Sequence, residues 1–564
     1  MEKRRVLLHL LLLTLFSTML ASPARAATFG DVTVTERPSL PAPTYNAYYE
    51  YRFELANNGP KQHVVTLTAL TIQPYGSTRW QVSRSFVLAP RSRGVGTIPQ
   101  LIRAGSTAQT LLVTVDGTPQ RQAVPLNSPS VGDQSFTAVL VGDTVSTDRL
   151  NAELQATSTA NFGYVRAGTG AVDWSTSWLQ YSRFGGVLLT VRDWELLAPP
   201  VREALLRWSY AGGVLAFAGP APALPVVPPD RGKSRINFAP NGLGGIVLLP
   251  EFDTTFDFND MRGLRSFWQR HIISSLETRS AVETLPLLPN QPLPATSMFS
   301  IMLVFAIVAG PVNLFVLARR NKRIWLFWTV PLLAIVASVI IVASLLINEG
   351  WVRVQRSRTL TLLDENRGEA ATFGWTGVYS TAAPERIRFA NTTQVQVPDE
   401  TETSEANWSE GQDLVSWVRS RVPTYFVVRK SEARRERLTI RTEGSNLTVV
   451  NGLGAPITRL LVATDDGTVY QTGKVPAGAR APLERTVLRT DTRAVAPDGF
   501  MQRPETWPGT IERFSQNPRS ALHPGMYVAV LDGSPFLETV VERPTKLMAE
   551  TVVVGVTKRS ADAR

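Results

Sequence analysis

Amide or acyl transfer needs a nucleophile with a base beside it, and this 564-residue chain contains no cysteine and four histidines, His9, His63, His271 and His523. The missing cysteine excludes thiolate nucleophiles, thiolate-held metals and a disulfide framework. His63 stands just before a strand-like run with no second ligand at metal-binding spacing, so an edge or surface histidine is expected there. His271 lies in a run, Phe267 to Ile273, that reads as a helix approaching a membrane, and His523 has no partner in sequence. No Gly-x-Ser-x-Gly elbow is accompanied by a partner histidine. Gly168-Thr169-Gly170 lacks the lysine and helix of a phosphate cradle and reads as a turn. Asp465-Asp466-Gly467 suits a hairpin and lacks the longer acidic pattern of a calcium loop. What remains is Asp143, Asp193 and Gly219, each just after an apolar run. If those runs are parallel strands, the three residues line the crevice beyond their carboxyl ends, where a ligand would bind. An aspartate in such a place more often caps the next helix by accepting a backbone N–H, and that role is expected ahead of ligand binding. No catalytic, cofactor-binding or metal-ligating residue is assigned, and no cofactor is expected.

The elements that would position these residues form a multidomain α/β plus all-β chain. Residues 27–128 alternate in short runs such as Tyr48 to Leu55 and Val64 to Leu70, which predicts an immunoglobulin-like β-sandwich. Asn57-Asn58-Gly59-Pro60 predicts a tight hairpin with positive φ, and further turns are expected at Pro90-Arg91-Ser92 and Asp116-Gly117-Thr118-Pro119. From 129 to 295 the rhythm becomes strand, helix, strand. Pro199 and Pro200 start a helix with an apolar stripe of Val201, Leu205, Leu206 and Trp208, and Gly212-Gly213 ends it before the run Val214 to Gly219. Buried-type runs of this kind imply a parallel sheet covered by helices on both faces. Residues 350–564 alternate again and predict one or two β-sandwiches, with a helical insert near Gly411 to Arg421 and a solvated acidic loop from Pro398 to Glu410.

The formal charge of +11 divides unevenly. Residues 1–26 carry +3 and Arg319, Arg320, Lys322 and Arg323 carry +4, leaving 50 basic against 46 acidic residues elsewhere. That distribution marks membrane topology and removes the basis for a nucleic-acid partner. Residues 1–26 have the charged, apolar, small-residue order of a cleaved secretory signal ending at Ala24-Arg25-Ala26. Residues 298–318 and 324–347 are each long and apolar enough to span a bilayer, and the basic loop 319–323 between them is expected in the cytoplasm. Trp325 and Trp328 would sit at the inner interface and Trp351 at the outer one. Asn313 is expected to bond to the second helix or to a partner subunit, beside Pro311, which frees backbone groups.

Leu197 to Gly219, with Leu-Leu-x-Trp and then Gly-Gly-x-Leu before a strand, resembles the class I glutamine amidotransferase-like, flavodoxin-like domain of a family of bacterial membrane proteins. Ala309 to Leu317 before Arg319-Arg320 resembles the Gly-Pro-x-Asn hairpin segment of the same family. The resemblance implies an exported α/β domain on a cytoplasmic (inner) membrane hairpin, with the N- and C-terminal regions outside. The family's reaction needs a cysteine that this chain lacks. The expectation is a non-catalytic envelope scaffold or auxiliary subunit with a protein partner. An envelope hydrolase or transferase working from the crevice, and a glycan binder, are the alternatives.

Overall fold

The computed structural model describes residues 26–40, 48–72, 79–101, 108–126, 137–145, 150, 162–167, 174–220, 222–224, 236–250, 295–349, 352–396, 403–443, 446–489 and 522–556. The proposed leader, Gly168 to Gly170, His271 and Trp351 lie outside the described residues. Within them the chain is mostly β-sheet, in four sheets, with two long apolar helices.

The N-terminal strands alternate as their sequence demands. β1 (Ala26–Phe29), β2 (Val32–Arg37), β3 (Tyr48–Asn57) and β6 (Arg93–Leu101) form one antiparallel sheet. β4 (His63–Ile72), β5 (Arg79–Leu88), β7 (Ala108–Val115), β8 (Thr118–Pro119) and β9 (Val124–Pro125) belong to a second. Val34, Phe53 and Leu55 of the first sheet and Val65, Leu67 and Val82 of the second fill the core between them. The expected tight hairpin at Asn57 to Pro60 is therefore a corner, since β3 and β4 lie in different sheets, and neither Asn58 nor Gly59 adopts positive φ. Asn57 closes the corner: its side-chain amide donates to the carbonyls of Lys61 (2.7 Å) and Ala89 (2.9 Å). A Cβ at Gly59 would strike the Asp31 side chain, which would have to move aside. The Asp116-Gly117 turn does take φ of 49° and 78°.

The second sheet does not end with the N-terminal region. β5 pairs in parallel with β20 (Thr403–Asn407), which continues through β21 (Gln412–Val415) to the edge strand β18 (Arg386–Phe389). Strands from the 350–564 region thus complete the sheet begun by residues 27–128. The helical insert near Gly411 to Arg421 is also overturned, because that segment holds β21 and then a turn with Ser416 and Arg421 at positive φ. Its tryptophan explains the misreading: Trp417 packs edge-on against Trp80 at 4.9 Å and donates to the Glu405 carbonyl. It is apolar for a contact with another strand, and the spacing carries no helical stripe.

The third sheet has the order β11 (Phe162–Arg166), β10 (Thr137–Val141), β12 (Phe184–Thr190), β13 (Val214–Ala218), β15 (Gly244–Leu249), β14 (Asn237–Asn241). The first five run parallel and β14 is antiparallel at the edge. α1 (Val191–Leu196) and α2 (Pro199–Tyr210) follow β12, and α2 begins with its prolines in the first turn and buries Val201, Leu205 and Trp208. Gly213 can only be glycine, since a Cβ would enter the Trp208 ring.

The fourth sheet has eleven strands: β19 (Thr393–Gln396), β22 (Thr424–Ala433), β17 (Glu369–Ser380), β16 (Arg353–Asp364), β29 (Lys546–Val556), β28 (Met526–Asp532), β25 (Ile457–Ala463), β26 (Thr468–Thr472), β27 (Arg480–Arg489), β24 (Asn446–Gly452) and β23 (Arg437–Glu443). A buried hydroxyl ladder crosses its centre: Ser357 to Thr376 (3.0 Å), Thr359 to Thr551 (2.7 Å) and Thr361 to Thr372 (2.9 Å). Each hydroxyl satisfies another, so the polar stripe is buried without an orphan. The Asp465-Asp466-Gly467 turn is the expected hairpin between β25 and β26, with Asp466 held down at about 2 by hydrogen bonds from Thr464 and Thr468.

α3 (Ala295–Ile307), a π-helical turn at Val308–Val312, α4 (Asn313–Arg319) and α5 (Leu326–Glu349) form the hairpin. Phe299–Arg319 and Arg323–Ala343 are each 21 residues long and apolar enough to cross a membrane. Pro311 lacks an N–H and its ring crowds the preceding turn, and the helix widens around it. Of the two partners expected for Asn313, the structure shows the intramolecular one: its amide donates to Thr329 Oγ1 at 2.8 Å. Arg319, Arg320, Lys322 and Arg323 are exposed around the turn between the helices.

Candidate functional site: the crevice beyond the parallel strands

β10, β12 and β13 end side by side, and the chain leaves β10 towards β11 on one side before returning to β12 on the other. A ligand of an open parallel sheet sits where the strand order reverses in this way. Asp193 occupies that point. Its side chain accepts from the Thr190 backbone N–H (3.0 Å) and hydroxyl (3.1 Å), and its other oxygen accepts from the Thr144 N–H (3.1 Å). The Thr190 hydroxyl in turn accepts from the Asp193 N–H, completing a reciprocal capping box at the start of α1. One carboxylate therefore caps α1 and clamps the turn after β10 to the end of β12.

Little room is left for a ligand at this point. A Cβ on Gly142 would collide with the Asp193 carboxylate, so the two strand ends meet directly through that side chain. Asp143 lies in the exposed turn beside it. Gly219 adopts φ of 89° and donates its N–H to the Leu249 carbonyl, which ties it to the next strand, β15. The structure brings Asp193 and the 142–144 turn together and sets Gly219 to a separate task, closing β13 onto β15. Replacing Asp193 with Ala is expected to cost about 2–4 kcal/mol, from a lost cap of about 1 kcal/mol and two or three donors left unpaired in a part-buried place. Asp143→Ala should change stability by less than about 0.5 kcal/mol. Urea melts of the two variants in detergent check this, and equal small effects would contradict the clamp.

A second polar centre was not singled out by sequence reasoning. It lies where three sheets meet around Tyr48, the first residue of β3. The Tyr48 hydroxyl donates to the Val395 carbonyl (3.2 Å) on β19 and accepts from the Val395 N–H (3.1 Å) and from the Gln412 amide (2.6 Å) on β21. Burial pushes the Tyr48 phenol up to about 12, so it keeps its proton and its donor role at any physiological pH. Nearby, Arg183 is buried with its guanidinium over the rings of Tyr49 and Phe184, both at 5.2 Å, and desolvation lowers it to about 10. Burial raises the Glu50 carboxyl above the usual range despite hydrogen bonding to Ser175. Arg429 on β22 lies over Trp178 at 5.7 Å and donates to Gln394. Apart from Phe184 beside Arg183, the partners come from different chain segments, which is why no local spacing announces the cluster.

His63, expected to be an edge or surface histidine, starts β4 at an end of the sandwich with Nδ1 2.7 Å from Asp116 and Nε2 3.9 Å from Asp31. It links the turns of the two sheets. Among the described residues no group of three or more His, Cys, Asp or Glu is placed to hold a metal ion. A cleft of about 510 Å³ borders the edge strand β18, lined among others by Arg386, Arg388, Glu410, Glu538 and Glu542. Its charges are largely spent internally: Arg388 is bidentate to Asp413, and Glu538 accepts from Lys430 at 2.6 Å. The chain matches no protein-family model and no curated protein.

Proposed function

We propose that this protein is a non-catalytic, membrane-anchored envelope protein: a scaffold or auxiliary subunit whose regions before and after the hairpin form one body outside the cytoplasmic membrane and engage a protein partner there. The observation that carries the reading is the parallel pairing of β5 with β20, from Arg79↔Thr403 to Ser83↔Asn407. The hairpin lies between these strands in sequence, so two crossings and one shared sheet require both flanks on the same side of the bilayer. The basic turn at Arg319 to Arg323 then faces the opposite side, and a short loop of that charge is retained in the cytoplasm. The leader-like order of residues 1–26 supports export of the flanks.

The parallel sheet is read as a degenerate flavodoxin-like, amidotransferase-like layer. Its strand order agrees with that reading, and the absence of cysteine from the chain removes the family's nucleophile. Asp193, spent on three hydrogen bonds at the strand-order reversal, supports a structural rather than a ligand-binding crevice. A reporter active only in the cytoplasm, fused after Arg320, is expected to work, and the same reporter after Arg564 is expected to be silent. The reverse pattern overturns the topology. Crosslinking the full chain in its own membranes is expected to capture a stoichiometric envelope protein, and its absence overturns the subunit reading.

A further inference from the structure

We propose that the end of the eleven-stranded sheet beside the hairpin is a contact surface for anionic lipid headgroups, an inference that rests on the reading of α5 as a membrane span. α5 runs over Leu326–Glu349, 24 residues, or about 36 Å at 1.5 Å per residue. Hydrocarbon is about 30 Å thick, so the helix end reaches headgroup level. β16 begins at Arg353, and the chain from 349 to 353 extends at most about 14 Å. The sheet end is therefore held within headgroup reach by the covalent chain alone.

Four neighbouring strands end at this rim. β22 starts at Thr424, β17 stops at Ser380, β16 starts at Arg353 and β29 starts at Lys546, in registers that align them: Val378↔Thr424, Arg353↔Ser380 and Val354↔Lys546. The connections that hang from it are fastened to it. The Arg421 N–H donates to the Ser380 carbonyl (2.7 Å), and the Thr545 N–H donates to the Arg353 carbonyl (2.8 Å) while the Thr545 hydroxyl accepts from the Arg353 N–H (2.8 Å).

These connections carry Arg419, Arg421, Arg543 and Lys546, all exposed, beside a half-buried Arg353. Among the described side chains of the same rim the acidic groups are Glu385 and Glu542, both exposed, so there cations exceed anions by three. Between the cations, Val422 is 47% and Leu547 52% exposed. Arg421 and Arg543 hold φ of 63° and 50°, a region that arginine rarely adopts, so the fold maintains two guanidiniums at this end against a backbone cost. Guanidinium pairs with phosphate in a planar, two-point geometry, and basic residues at a bilayer surface are drawn to anionic lipid. Aliphatic side chains exposed among such cations gain by entering the headgroup–acyl boundary. Cations, aliphatic groups and the end of a membrane helix coincide here, which is the composition of an interfacial surface.

The natural absence of cysteine makes the test clean. Full-length protein carrying a single spin label at Val422→Cys, Leu547→Cys, Val339→Cys in α5 or Val87→Cys on the outer sandwich face is placed in nanodiscs of phosphatidylcholine, with or without a third of phosphatidylglycerol. Collision with lipid-soluble oxygen is read at each label. At Val422→Cys and Leu547→Cys it is expected to rise at least about threefold with the anionic lipid, below the roughly fivefold that each basic residue contributes to surface binding. High salt, or glutamine at Arg419, Arg421, Arg543 and Lys546 together, should abolish the rise, with unchanged label mobility at Val87→Cys reporting an intact fold. A lipid-exposed Val339→Cys with both rim labels still aqueous overturns this inference and leaves the membrane reading standing. An aqueous Val339→Cys overturns both, and equal lipid access in the two compositions overturns the anionic preference.

Discussion

Tyr48→Phe is expected to destabilise the three sheets it joins by about 3–5 kcal/mol, although it removes one oxygen atom. Among the described residues the hydroxyl is the partner of the Val395 N–H and of the Gln412 amide, and the Val395 carbonyl receives its proton. Deleting it strands buried groups on two different sheets, each worth about 1–3 kcal/mol when left unsatisfied. Because the node joins β3, β19 and β21, exchange of the Val395 amide should accelerate together with amides in β20 and β5. Hydrogen exchange on full-length protein in detergent measures this. A change confined to β3, or a cost below about 1 kcal/mol, would show that the three sheets are held together by other contacts.

Ending the chain after Glu349 has the larger effect. The truncated protein keeps the first sheet, the parallel sheet and the hairpin, yet β5 then loses β20, and Trp80 and Tyr48 lose Trp417 and Trp408. Ile387, Phe389, Leu414, Trp408 and Trp417 belong to the same core as Val65 and Val82. At about 2 kcal/mol for each large side chain withdrawn, the loss is on the order of 10 kcal/mol, comparable to the net stability of a domain. Folded protein in the membrane should fall more than tenfold, and co-expression of residues 350–564 behind their own export signal should restore it. Undiminished accumulation of the truncated form would mean that residues 27–128 fold alone.

Much of the local structure was legible because it depends on neighbours in sequence. α2 declared itself through Pro199, Pro200 and the Val201, Leu205, Trp208 stripe, and both apolar spans through composition. The capping role of Asp193 followed from its place after a strand. What could not be read were choices made by distant segments. Asn57 to Gly59 has hairpin composition, but the pairing of β3 with β2 and β6, and of β4 with β5 and β7, turns it into a corner. Trp417 gave an apolar spot whose partner, Trp80, lies more than 300 residues away. The union of β5 with β20 leaves no trace in either strand's alternation, since a strand with a free edge and one with a partner show the same period of two. The Tyr48 node was invisible for the same reason: a tyrosine that starts a strand reads as core, and only the fold supplies Val395 and Gln412.

The segments before and after the hairpin share one sheet through β5 and β20, and its proposed place on the exported side of the membrane can be tested together with that pairing. The most direct measurement places cysteines at Gln81 and Glu405, which face each other in the β5–β20 register, in the otherwise cysteine-free chain. Adjacent strands lie about 4.8 Å apart, within disulfide reach, and a disulfide persists only in an oxidising compartment. Peptides of protein isolated without reductant, with thiols blocked at lysis, are expected to be joined through these two residues, while a control pair at Gln81 and Thr458 stays unlinked. Free thiols that join only when oxidant is added to isolated membranes would keep the shared sheet and place it in the cytoplasm. Free thiols under both conditions would contradict the account.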